Sequence, residues 1–217
     1  MIEGLKQIVK TPNVARLGLI QACVEGVTYV FIFLWTPTLT LLFESSETDY
    51  QLPIGQVFAT FMAAMMIGSK LSKILTRGYN KTNWEMLLFA TVIGSACLYW
   101  LGAHTSSASK TTTYFAFIFF ELACGAYFPA MNNLRSKIIP QKEAASISVW
   151  VRFPMNAIAT AALIYLHTEQ DKLVGDATLY KICAVAMTIA VVGLILSNFK
   201  EREVDEEAEK DEEENVI

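Results

Sequence analysis

The chain has 217 residues, of which 53% are hydrophobic and only 18% charged, with a formal net charge of −4. A soluble chain of this length needs more charge on its surface, and nothing points to a nucleic-acid partner. The apolar residues fall in blocks close to the ~20 residues that cross a bilayer as a helix, which marks an all-α, polytopic membrane protein surrounded by lipid.

Residues 1–13 (MIEGLKQIVKTPN) set Ile2, Leu5, Ile8 and Val9 at helical spacing with Lys6 and Lys10 between them. That pattern predicts a short amphipathic helix lying on the cytoplasmic membrane surface, broken at Pro12. The first apolar run is too long for the core of a cleavable signal. Six spans follow, at 14–36, 54–75, 84–103, 112–132, 144–167 and 177–198, so that residues 14–198 form one six-helix transmembrane domain. The first is expected to end at Pro37, with Trp35 at the interface. Hydrophobicity runs around each span instead of along one stripe, as lipid-facing helices require. Cys23, Cys97, Cys124 and Cys183 all sit inside spans, where buried free thiols are expected.

Charge alternates between the loops. Residues 1–16, the turns at 70–83 and 133–143 and the tail hold thirteen of the seventeen Lys and Arg. The opposite loops hold Lys110 and Lys172, with Lys181 at their edge. The positive-inside rule then puts both termini in the cytoplasm, as an even number of spans requires. Residues 199–217 are predicted to be an acidic, disordered cytoplasmic tail; from Lys200 onward it has ten acids and three bases.

The spans carry few ionisable residues, and these lie deep. Glu25 sits about 16 Å into the first span at 1.5 Å per residue, and Glu121 reaches a similar depth from the other side. Arg152 lies about a turn nearer the cytoplasm in the fifth span, with Asn156 four residues on and on the same face. Gln21 and Tyr29 flank Glu25 one turn below and one turn above, giving a polar stripe on an apolar helix. One reading is an ion-pair cluster that locks helices together. The other is a midplane binding site, in which the forked guanidinium of Arg152 suits a tetrahedral oxyanion and a glutamate carries a proton or pairs with Arg152. Two acids and one base cannot neutralise one another completely, so a proton, a cation or a further base must complete the account. Gly125, Pro129 and Pro154 are read as packing and kink residues, and Ala22 with Gly26 as a small-residue face for helix contact.

The chain has no HExxH, GxSxG, Walker, dinucleotide-fingerprint or CxxC pattern, and His104 and His167 fall at span ends. No catalytic residue, cofactor or metal is therefore expected.

Three segments carry a resemblance. Residues 18–37 (GLIQACVEGVTYVFIFLWTP) are similar to the seventh helix of the molybdate-anion transporters of the major facilitator superfamily. Residues 120–140 (FELACGAYFPAMNNLRSKIIP) resemble their tenth helix and the loop after it. Residues 149–167 (VWVRFPMNAIATAALIYLH) resemble the eleventh, with Trp150, Arg152 and Pro154 on the family pattern. The match runs to about residue 198; Ser72 departs from the superfamily's loop signature, which has an acid there. The resemblance implies twelve helices in two halves, substrate between them, and this chain as the C-terminal half. It implies uptake of molybdate or a similar oxyanion by alternating access, at the plasma membrane, with the other half supplied by a homodimer partner or a separate chain. The alternative is a non-transporting membrane subunit, or a truncated product, whose acidic tail recruits a partner.

Overall fold

A computed structural model describes residues 8, 10–44, 52–78, 82–104, 109–139, 142, 144–168 and 177–197. These form six helices: α1 (Pro12–Glu44), α2 (Ile54–Gly78), α3 (Asn83–His104), α4 (Lys110–Ile138), α5 (Ala144–Thr168) and α6 (Ala177–Ser197). Each is long and apolar enough to cross a membrane, and no strand occurs among the described residues. The acidic tail and most of the expected amphipathic segment lie outside the described residues.

Pro12 opens α1, at a position where its missing N–H has no helical partner to lose. The helix does not end at Pro37 but runs on to Glu44. Proline removes a backbone donor there, yet neighbouring groups hold the turn. Thr38 Oγ1 donates to the Leu34 carbonyl at 2.8 Å and lies 2.8 Å from the Tyr180 hydroxyl on α6. Packing against α6 thus carries the helix through the proline.

Residue pairs give the directions of the helices. Thr60 meets Tyr114 and Gly68 meets Ala126, so α2 and α4 run the same way. Gly18 meets Val151 and Gly26 meets Ile158, so α1 and α5 are parallel too. Trp84 bonds the Leu194 carbonyl while Gly102 meets Lys181, so α3 and α6 are antiparallel. Thr28 meets Cys124 while Phe31 meets Phe117, and Thr38 meets Tyr180 while Ile20 meets Gly193, so α1 runs against α4 and α6. The six helices therefore alternate in direction along the chain, and one end of the bundle collects the starts of α1, α3 and α5 with the ends of α2, α4 and α6. This end carries Arg16, Arg77, Arg135 and Lys137, and is called the basic end below.

α1 is the central helix, with 67% of its apolar stretch buried. Leu17, Ile20, Val24, Val27, Phe31 and Leu34 recur at three- and four-residue steps and are all buried. Phe31 meets Phe117 of α4 edge-on and Phe120 at a tilt, with ring centroids 5.1 and 4.4 Å away. α3 and α6 pack against each other through Gly94 on Met187 and a Ser95–Thr188 hydroxyl contact of 3.3 Å. α2 and α5 lie at opposite margins: α2 packs chiefly on α4 and α5 chiefly on α1. Only 22% of each of these two apolar stretches is buried.

α2 approaches α4 through glycine. A Cβ on Gly125 would lie 2.1 Å from the Met65 carbonyl oxygen, and one on Gly68 would lie 2.0 Å from that of Leu122. Gly125 is thus a packing residue, as its type and position suggested. Ser72 closes the buried stripe of α2 formed with Val57, Phe61, Ala64 and Gly68, where a carboxylate would be driven into the contact with α4.

Candidate functional site

The α1–α5 contact fixes the levels of the intramembrane polar residues. With Gly18 beside Val151 and Gly26 beside Ile158, Arg152 stands within about a turn of Gln21, and Asn156 is level with Glu25. Gln21 Nε2 donates to Glu25 Oε1 at 2.9 Å, so two members of the polar stripe on α1 are joined along their own helix. Tyr29 continues that stripe and is 44% exposed. Arg152 and Asn156 are exposed on the thinly covered α5. Arg152 makes no hydrogen bond or ion pair with the described residues, although its charge and that of Arg135 both act on Glu25.

Glu121 is placed elsewhere. It is 3% exposed, and its Oε2 has no hydrogen-bond partner. Three residues on, Cys124 lies 3.7 Å from the Thr28 hydroxyl of α1, and at the next position Gly125 meets α2. Glu121 therefore occupies the face of α4 turned to those two helices, and it forms no ion pair among the described residues. Depth alone suggested that both glutamates and Arg152 would meet. The structure brings Gln21, Glu25 and Arg152 within reach of one another, sets Asn156 at the level of Glu25 on α5, and leaves Glu121 apart, because the face of a helix and not the depth decides which neighbour a side chain finds. Neither glutamate forms a direct ion pair with Arg152 among the described residues.

Sequence reading passed over Arg135, Ser148 and Tyr127. Arg135 was counted only as a turn residue, yet its Nη2 donates to Ser148 Oγ on α5 and reaches the Ala144 carbonyl at 3.4 Å. A signal was present: Ser148, Arg152 and Asn156 are spaced by four and share one face. Tyr127 is 2% exposed with an unpartnered hydroxyl, within electrostatic reach of Glu25 and Arg135. No pattern in the sequence marked it. A separate cavity of about 370 Å³, between α1, α5 and α6, is lined by residues such as Val27, Val30, Ile158, Ala162 and Ile182. Its almost wholly apolar wall offers nothing to hold an anion.

Six alternating membrane-length helices, with a cation and a carboxylate presented inside the apolar zone, define a polytopic membrane module with polar groups set within its span. Residues 3–105 match a family described as sugar transporters with 12 transmembrane helices. Over 196 residues the chain is 35% identical to the molybdate-anion transporter of Xenopus laevis, covering 89% of this chain and 42% of that protein. It is 34% identical over 202 residues to that of Takifugu rubripes, covering 89% and 40%. It is 33% identical over 171 residues to that of Danio rerio, covering 77% and 34%. No solved structure matches it at a significant level. Over 89% of its length the chain is thus similar to proteins named molybdate-anion transporters. It spans about two fifths of the length of the Xenopus and Takifugu relatives it matches.

Proposed function

We propose that the chain is the C-terminal six-helix module of a secondary transporter that takes up molybdate, or a similar tetrahedral oxyanion, by alternating access. The observation that carries this reading is Arg152, an intramembrane guanidinium exposed on α5 with no partner among the described residues. A cation held in an apolar zone needs a counter-charge, water or a ligand, and an oxyanion supplies the first and the last at once. A neutral sugar, the substrate class in the description of the matching family, would bring the guanidinium no counter-charge of its own.

In this reading Arg152 and Asn156 contact the anion, while Gln21 and Tyr29 border it from α1. Glu25 balances the site's charge, and Glu25 or Glu121 carries a proton with the substrate. The margins formed by α2 and α5 are where a second six-helix half, a second copy or a separate chain, completes the cavity wall. Both termini face the cytoplasm of a cell whose plasma membrane holds the transporter, as the basic end and the positive-inside rule favour. The test is molybdenum accumulation in cells expressing the chain with and without Arg152→Gln. Loss of accumulation in the variant supports the reading, and equal accumulation removes Arg152 from the mechanism. No accumulation above empty-vector cells overturns the transport role.

A further inference from the structure

The geometry points to a two-guanidinium subsite, Arg135 of α4 beside Arg152 of α5, that sets preference for a doubly charged oxyanion over a singly charged one. The inference rests on the transport reading above and goes beyond it by naming a second cation and a selectivity.

Arg135 lies three residues from the end of α4, where sequence alone makes it one more basic residue of a turn. Its side chain leans instead onto α5. Ser148 Oγ donates its one hydroxyl proton to the Ala144 carbonyl at 2.5 Å, which leaves its lone pairs to accept from Arg135 Nη2. Both of Arg135's hydrogen bonds use that single nitrogen. A guanidinium has five N–H donors, so the rest of the fork is uncommitted among the described residues. Anchorage at Ser148 puts this charge one helical turn, about 6 Å of rise, from Arg152 on the same face of α5. Arg135 is partly buried, and its charge and that of Arg152 converge on Glu25.

The charge count of the cluster follows. Two guanidiniums and one carboxylate leave a single net positive charge in a zone where the surrounding helices are apolar. Arg135→Gln reduces the net charge to zero and Glu25→Gln raises it to two. Coulomb energy scales with the charge of the anion, so a change that weakens a dianion about tenfold weakens a monoanion of the same shape only about threefold. The two substitutions must therefore move selectivity in opposite directions. A role for Arg135 confined to clasping α4 to α5 makes no such prediction, because loss of the clasp disturbs both anions alike.

The experiment is competition against labelled molybdate uptake in cells expressing the full chain, with unlabelled molybdate as the dianion and perrhenate as the monoanion. Arg135→Gln should weaken inhibition by molybdate about tenfold and by perrhenate about threefold, so that the molybdate-to-perrhenate preference falls about threefold. Glu25→Gln should raise that preference by a similar factor. Arg135→Lys keeps the charge count and should leave the preference within the error of wild type. An equal shift for both anions in Arg135→Gln, or the same preference change in Arg135→Lys, overturns the subsite and leaves the transport reading intact. Absence of uptake by wild type overturns the transport reading, and the subsite with it.

Discussion

Gly125→Ala places a methyl group where none fits. The new Cβ would stand 2.1 Å from the Met65 carbonyl oxygen, 2.7 Å from its carbon and 2.8 Å from its Cα. All three are backbone atoms, so no rotamer change relieves the clash. Ordinary contact requires α2 to retreat by about 1 Å, and a gap of that size forfeits a quarter to a half of each dispersion contact along the interface. Adding the usual cost of overpacking gives a loss of about 2–3 kcal/mol. For a chain of this length that is a fall in Tm of about 4–12 °C, at 2–4 °C per kcal/mol. Gly68→Ala strikes the same interface from the other side, with its Cβ 2.0 Å from the Leu122 carbonyl oxygen. Once one substitution has moved the helices apart, the second meets less resistance, so the double variant should cost less than the sum of the singles. Thermal unfolding of detergent-purified protein, followed by tryptophan fluorescence, measures all three. Gly55→Ala is the control, since nothing lies within 4 Å of its Cβ position. A Gly125→Ala protein that melts with the Gly55→Ala control would refute close α2–α4 packing.

Other outcomes follow from single contacts. Thr38→Val and Tyr180→Phe each remove the hydroxyl pair that joins α1 to α6 beyond Pro37, and each should cost about 0.5–1.5 kcal/mol. The double variant should be no worse than the more damaging single one, and full additivity in the same melting assay would show that the two hydroxyls act separately. Glu121→Leu replaces a buried, partnerless carboxyl with an apolar group and should melt at or above the wild-type temperature. A drop of several degrees would mean that Glu121 has a structural partner. Arg152→Gln should abolish most molybdenum accumulation while leaving stability within about 0.5 kcal/mol of wild type, because an exposed side chain without partners among the described residues contributes little to stability. Expression level and melting point, measured alongside uptake, separate that result from misfolding.

The chain's own pattern determined a good deal. Six long apolar runs can only be satisfied as helices where no water is available to the backbone, so the all-α fold and the positions of the spans were legible from composition and length. Loop charge predicted alternating directions, and the contacts between α2 and α4, α1 and α5, and α3 and α6 show that alternation. Depth was readable too, because rise per residue is constant: Arg152 does fall about a turn nearer the basic end than Glu25. Facing was not readable. Spans that are hydrophobic all round carry no stripe to say which side meets which neighbour, so Glu121 seemed a companion of Arg152 until its face proved turned to α1 and α2. For the same reason Pro37 looked like a terminus, although a hydroxyl from α6, 142 residues away, supports the turn through it. Arg135 looked like loop charge until Ser148 held it against α5. Period and polarity are local properties of a helix; partnership is a property of two helices, and only the packed bundle contains it.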